Sequence, residues 1–149
     1  PRVRFVIAGE RGSDCEKLSA LASSLGVRSS IDFPGAITRE QKIKMLQRCK
    51  AYVQPTHYEG FGLAILEAMS CGAAVVTSKG GAVPEVVGET AEMVDARSPE
   101  SIAQGIIKVL NNDAYRAKLR RDGVERARSV FPFARRKDEI EALIRSIVK

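Results

Sequence analysis

The sequence predicts an α/β domain: an open parallel sheet with flanking helices and a helical carboxyl-terminal tail. Three observations predict it. Short apolar runs at 3–8, 31–33, 51–53, 73–77 and 91–94 alternate with helix-patterned segments. The stretches between runs reach the dozen or so residues that a right-handed parallel crossover needs. After Ser98-Pro99 the strand pattern stops and three helical patterns follow one another. The 149 residues fit one domain of roughly 100–200 residues, so a single core over 1–149 is expected.

Each element has a local reason. Val3-Arg4-Phe5-Val6-Ile7-Ala8 is mostly apolar and closed by Gly9, and Leu18, Leu21, Ala22 and Leu25 recur at helical spacing behind it. Gly26 stands where that helix stops. Ile31 and Phe33 alternate with Asp32 in a short strand that Pro34-Gly35 is expected to break. Thr38 is the N-cap type for a second helix carrying Ile43 and Leu46, and Ala51-Tyr52-Val53 is a strand closed by Pro55. Residues 62–71 are almost wholly apolar and helix-prone, Gly72 ends them, and 73–77 is a strand bounded by Gly80-Gly81. The tail helices are marked by Ile102, Ile106, Ile107 and Leu110, then by 114–128, then by 133–148. No internal repeat or low-complexity segment interrupts this order.

Composition narrows the function classes. With 44% hydrophobic and 28% charged residues, the chain is globular rather than disordered or fibrous. No run approaches the roughly 18 apolar residues of a membrane span, and no secretory signal pattern opens the sequence, so a soluble, cytoplasmic protein is expected. Pro1 leads straight into a strand pattern, which suggests a piece of a longer chain. Three cysteines without C-x-x-C spacing fit reduced, buried thiols rather than a disulfide or zinc scaffold. The net charge of +6 is localised: residues 115–149 hold 11 Lys+Arg against 5 Asp+Glu, and the rest is balanced. The tail's bases are interspersed with acids and not with aromatics, so a solvated helical face is expected. Nucleic acid is not expected, and an anionic membrane surface is left as a possible partner.

In an open parallel sheet, ligands bind beyond the carboxyl ends of the strands, where a loop feeds a helix whose free N–H groups and dipole favour an anion. Gly9-Glu10-Arg11-Gly12 follows the first strand but carries neither a G-x-G-x-x-G fingerprint nor a Walker sequence, and Arg11 reads as a surface ion-pairing residue. Pro55-Thr56-His57-Tyr58-Glu59-Gly60-Phe61-Gly62 meets the requirement better, running from a strand into the apolar helix with glycines on either side of Phe61. The N–H groups of Gly60, Phe61, Gly62 and Leu63 are expected to face a phosphate, most naturally a diphosphate. The alternative is that the glycines merely satisfy a tight turn and Phe61 packs in the core. Glu67 is the one carboxylate on a helix that reads as buried all round. A buried carboxylate needs partners, either internal donors or the hydroxyls of a bound sugar. At ~1.5 Å per residue it lies about 6–8 Å from the helix start, within reach of a ligand held there.

Glu59-Gly60-Phe61-Gly62-Leu63-Ala64-Ile65-Leu66-Glu67-Ala68-Met69, followed by Cys71-Gly72, Val75-Val76, Gly80-Gly81 and Pro84-Glu85, resembles the donor-domain signature of retaining GT-B glycosyltransferases of family four (group 1). Glu59 and Glu67 match that family's glutamate pair with seven residues between, and Phe5-Val6-Ile7-Ala8-Gly9 and Phe33-Pro34-Gly35 are similar to its earlier strands. The resemblance implies the Rossmann-like carboxyl-terminal half of a GT-B fold and a hexosyltransferase-type enzyme that takes a nucleotide-diphosphate sugar without metal or other cofactor. It implies Glu67 on the nucleotide ribose and Glu59 at the donor sugar and leaving phosphate. It further implies Gly60, Phe61, Gly62 and Leu63 on sugar hydroxyls and diphosphate, Glu85 near the sugar, and Ile37 under the nucleotide base. Retention is expected by front-face attack with the leaving diphosphate assisting.

The family's first donor-domain strand and helix, with the Gly-Arg and Lys-Gly pairs that clamp the diphosphate, and the acceptor domain have no counterpart in these residues. The chain by itself is therefore expected to be inactive. His57 is expected to cap or pack in its loop rather than act as a base, and Lys79 to be exposed. Two other classes stay open: a different enzyme on the same scaffold, such as a phosphorylase or sugar-nucleotide epimerase, or a non-catalytic module binding nucleotide sugar or an anionic surface.

Overall fold

The computed structural model describes residues 3–10 and 12–147, with the side chains of 13 and 133–138 outside that description. Two compact units are found, Pro1–Ile43 and Lys44–Lys149. The reading of Arg11 as a surface residue, and Val148 of the last helix, fall outside the described residues.

The first unit holds β1 (Phe5–Ala8), α1 (Ser13–Ser24), a 3-10 turn (Arg28–Ser30) and β2 (Ile31–Gly35), and α2 (Arg39–Arg48) begins in it. β1 and β2 pair in parallel, Phe5 opposite Ile31 and Val6 opposite Asp32, with a shift before Ala8 meets Gly35. β2 continues through Pro34 and Gly35, where the sequence predicts a break. Within its sheet β2 has β1 as its one neighbour, so the N–H that Pro34 lacks removes no second ladder. Gly26 ends α1 as expected: at φ +68° it donates to the Ser23 carbonyl while Val27 N–H reaches Ala22 at 2.9 Å, a Schellman closure. Thr38 caps α2 in a reciprocal box, its N–H donating to Gln41 Oε1 at 2.8 Å and its Oγ1 accepting from Gln41 N–H at 3.2 Å.

The second unit holds β3 (Tyr52–Gln54), α3 (Leu63–Ser70), β4 (Val75–Ser78), α4 (Val83–Val87), β5 (Ala91–Val94), α5 (Pro99–Asn111), α6 (Asp113–Val130) and α7 (Phe133–Ile147). Its strands are parallel in the order β3-β4-β5. β4 is central and every one of its residues is buried, as a strand covered on both faces must be. Successive side chains point to opposite faces, and the core divides accordingly. Val75 packs with Ile65, Ala68 and Met69 of α3 and Val83, Val86 and Val87 of α4. Val76 packs with Val94, Val109 of α5 and Leu119 of α6. Gly105 lets α5 close on β5, since a Cβ there would lie 2.4 Å from Val94 Cγ1.

The sequence predicts helices at 102–110, 114–128 and 133–148, and α5, α6 and α7 are those helices. α4 has no counterpart in that reading; its five residues follow Gly80-Gly81 and contain Pro84, which hides so short an apolar turn. The three cysteines are free and half-buried. Burial pushes the Cys49 thiol up, against the opposing pull of Arg120. Among the described residues no helix is long and apolar enough to cross a membrane.

The basic tail is not simply a solvated face. In α6, Arg116 donates to the Val109 and Leu110 carbonyls, Arg120 to Gly72 at 2.7 Å and Gln47 at 3.3 Å, and Arg126 to Val86 at 2.8 Å and Glu85 at 2.7 Å. These carbonyls lie in or just after the last turns of α5, α3, α2 and α4, where intrahelical donors run out.

Candidate functional site

The carboxyl ends of β3 and β4 are tied together by β4's own hydroxyls. Thr77 Oγ1 donates to the Gln54 carbonyl at 2.8 Å. Ser78 Oγ accepts from Thr56 N–H at 2.8 Å and donates to the Thr56 carbonyl at 2.6 Å. Two fully buried polar side chains are thereby satisfied, and the 55–62 loop leaves the sheet on a fixed base.

The turn after β4 then presses on that loop. A Cβ at Gly80 would lie 2.7 Å from the Thr56 carbonyl oxygen and 2.9 Å from the His57 carbonyl carbon, and one at Gly81, where φ is +57°, would lie 2.2 Å from the Glu59 carbonyl oxygen. Glycine is required here by close approach of backbone to backbone. Ala82 N–H donates to the same Glu59 carbonyl at 3.0 Å. The Glu59 main chain is thus held from below by α4's entry turn, and its side chain from the strand: Gln54 Nε2 donates to Glu59 Oε2 at 3.1 Å, and the Tyr52 hydroxyl donates to Gln54 Oε1 at 2.5 Å. Burial pushes the Tyr52 phenol up to about 12, with the Glu67 and Glu59 carboxylates adding to it in that order.

α3 starts at Gly62, which is buried and left-handed at φ +92°. Leu66 N–H is the first to reach back into the cap, to the Gly62 carbonyl at 3.0 Å, so the N–H groups of Leu63, Ala64 and Ile65 precede the intrahelical ladder. Phe61 is half-buried against the Val75-side core and meets Phe131 edge to face, centroids 5.8 Å apart. Its side chain anchors the loop. Gly60 is exposed and has open space around its Cβ position.

Glu67 corrects an expectation. α3 is not buried all round: Ile65, Ala68 and Met69 face the core, whereas Leu63, Glu67 and Ser70 are exposed. Spacings of four and three put these on one stripe, so Glu67 stands on the solvent face of the helix, one turn beyond Leu63. Its exposure removes the argument that burial compels partners and leaves its place beside the helix start.

The second unit brings together Glu59, Gly60, Phe61, Gly62, Leu63 and Glu67. Glu85 lies in the first turn of α4, exposed, with its carbonyl taken by Arg126. Ile37 belongs to the first unit, half-buried between β2 and α2. His57 and Lys79 are exposed; the histidine's main chain, not its ring, is what Gly80 meets. Sequence reasoning missed Tyr52, Gln54, Thr77, Ser78 and Phe131. The available signal was the pair of polar-capable residues two apart on β3, which share one face. Among the described residues no three of His, Cys, Asp and Glu gather as a metal-holding group.

A family model described as glycosyl transferases group 1 matches residues 1–130. The O-antigen chain mannosyltransferase B of Escherichia coli is 32% identical over 127 residues, 85% of this chain and 33% of the relative; the chain thus spans about a third of its length. The carboxyl-terminal domain of a group 1 glycosyl transferase, LpcC of Francisella tularensis, superposes with a TM-score of 0.76 at 28% identity, covering 87% of this chain and 70% of that one. Anabaena HepE in complex with UDP and glucose superposes with a TM-score of 0.90 at 21% identity, covering 98% of this chain and 41% of that one, a likeness of fold.

Proposed function

This chain belongs to the group 1 glycosyl transferases, and from that premise we propose that the 55–62 loop and α3 form the donor face for a nucleotide-diphosphate sugar in an enzyme that passes the sugar to an acceptor. The observation that carries the reading is the junction at Gly62. There a clamped loop delivers Glu59, an eight-residue helix begins with its free N–H groups, and Glu67 rises on the exposed stripe one turn on. The HepE structures with UDP and with UDP-glucose support a donor of this class.

In this reading the first-turn N–H groups of α3 and the helix dipole receive the diphosphate. Glu67 takes the ribose hydroxyls, Glu59 the donor sugar, and Glu85 stands near the sugar. As the glycosidic bond breaks, negative charge grows on the departing diphosphate, and preorganised N–H donors stabilise that charge more than they stabilise the ground state. No metal enters this account, and configuration is retained by attack on the face the diphosphate leaves. The groups that clamp the diphosphate from its other side and the acceptor site belong, in this reading, to parts of the protein beyond this chain.

The test is calorimetric titration with UDP, GDP and ADP and their sugar conjugates, with Glu67→Ala as control, together with a transfer assay on the protein at its full natural length. Binding of one diphosphate, weakened at least tenfold by Glu67→Ala, and loss of transfer in that variant are expected. Full transfer activity in Glu67→Ala overturns the reading.

A further inference from the structure

Glu59 is held at two ends, by its main chain and by its carboxylate. Its main chain is fixed by Ala82 N–H and by the close approach of Gly81. Its carboxylate is fixed separately, through Gln54, by the hydroxyl of Tyr52. All three side chains belong to half-buried residues. A relay of two uncharged side chains aimed at a carboxylate in the donor face is an arrangement for orientation.

Resting on the donor reading above, we infer that Gln54 is a positioning residue for Glu59: its side-chain amide, oriented by the Tyr52 hydroxyl, holds one carboxylate oxygen so that the other is presented to the donor sugar. The direction of each bond follows from the groups. A carboxylate only accepts, so the amide must turn its NH2 to Glu59 and its carbonyl oxygen to Tyr52. A phenol donates to that oxygen and thereby selects the same orientation. Tyr52 and Gln54, two apart on β3, project from the same face of the strand, and β3 is anchored to β4 through Thr77 on the Gln54 carbonyl. The amide is a neutral donor. It fixes Glu59 without neutralising it, as an arginine would by pairing with its charge. The titratable groups around the relay are Tyr52, Glu59, Glu67 and Cys49, with Glu67, Glu59 and Cys49 all acting on the phenol.

The test uses the protein at its full natural length, with initial rates for whichever of UDP-glucose, GDP-mannose and ADP-glucose it turns over, and calorimetric affinities for the bare diphosphates. Gln54→Leu is expected to lower kcat/KM by about 10–100-fold, the scale of a misplaced reacting group. The affinity for UDP, GDP or ADP should stay within about twofold, since Glu59 faces the sugar in this scheme. Tyr52→Phe, which frees the amide to turn over, is expected to fall between wild type and Gln54→Leu.

Gln54→Glu supplies the readout that a structural role would not move. It sets two carboxylates against each other, and the proton they then share restores a donor where the amide stood. Its activity relative to wild type should therefore rise as pH falls from about 8 to about 5. Wild-type kinetics in Gln54→Leu overturn the inference, and if that variant does not fold, a Gln54→Glu profile parallel to wild type overturns it. Wild-type protein that neither binds the diphosphates nor turns over the donors overturns the donor reading itself, a distinct result.

Discussion

Gly81→Ala places the new methyl group in the tightest contact around the site. The added Cβ would lie 2.2 Å from the Glu59 carbonyl oxygen, 3.0 Å from its nitrogen and 3.1 Å from its carbonyl carbon. All three are main-chain atoms, so no side chain can swing aside. Restoring ordinary contact requires the 55–62 loop and the turn before α4 to part by about 1 Å. The left-handed backbone at φ +57° adds about 1 kcal/mol for a residue with a Cβ. Forced overpacking adds about 1–3 kcal/mol, and stretching the Ala82 N–H bond to Glu59 about 1 kcal/mol more. The expected loss is about 3–5 kcal/mol, a large share of the ~5–15 kcal/mol of a typical domain. Urea denaturation reads it as a fall in midpoint at constant slope. Gly60→Ala is the control: Gly60 is two residues before Gly62 in the same loop, has no positive φ and has nothing within 4 Å of its Cβ position. It should stay within about 0.5 kcal/mol of wild type. Equal midpoints for the two variants would refute the contact on which the position of Glu59 rests.

Arg126→Ala removes a guanidinium that bonds the Val86 and Glu85 carbonyls and lies over Gly88, and denaturation should show a loss of about 1–3 kcal/mol. Gly105→Ala drives a methyl into Val94 Cγ1 at 2.4 Å; it should destabilise by about 1–3 kcal/mol despite alanine's better helix propensity. Combining it with Val94→Ala should recover part of that loss in a double-mutant cycle. Tyr52, pushed up to about 12 by burial and then by Glu67 and Glu59, ionises later in the folded than in the unfolded chain, where tyrosine titrates near about 10. Its contribution to stability is therefore whole below about pH 10 and lost as pH rises towards about 12. Tyr52→Phe should flatten that alkaline decline in urea midpoints, leaving the parts due to Cys49 and Tyr115, which burial raises, and to Lys108, which its hydrogen bond to Glu92 raises.

What could be read from the sequence was what short-range chemistry decides. The stop at Gly72 is realised at φ +79°, with Ala73 N–H closing on the Ala68 carbonyl at 2.9 Å, and the Thr38 side chain caps α2 through Gln41 N–H. A left-handed glycine or a capping hydroxyl needs only its neighbours to act. Glu67 shows where that stops. Apolar residues on every side of a helical wheel predict burial, but burial also needs something packed on each side, and the Leu63–Glu67–Ser70 stripe is left exposed. Gly80-Gly81 shows the same limit from the other direction. The pair reads as a strand boundary, yet its geometry is set by Thr56, His57 and Glu59, more than twenty residues earlier in the chain. The relay through Gln54 escaped because its partners are chosen by loop closure, and the sequence carries no trace of which way an amide will turn.

The surplus of basic residues makes the point in electrostatic terms. Composition counts charges and cannot count acceptors, because carbonyls occur at every residue. In α6, Arg116, Arg120 and Arg126 are committed to carbonyls at or just past the ends of four helices. At such ends the helix dipole is negative and a cation is favoured. One basic helix therefore serves as a shared carboxyl-terminal cap for its neighbours. The geometry also explains arginine rather than lysine at position 120. Nε takes the Gly72 carbonyl while a terminal nitrogen reaches Gln47, a forked pair of contacts that a single ammonium cannot span. Arg120→Lys should keep the charge and lose one of the two contacts. A stability loss in that variant, with net charge unchanged, would separate capping from the long-range attraction that a basic tail suggests when it is read as charge alone.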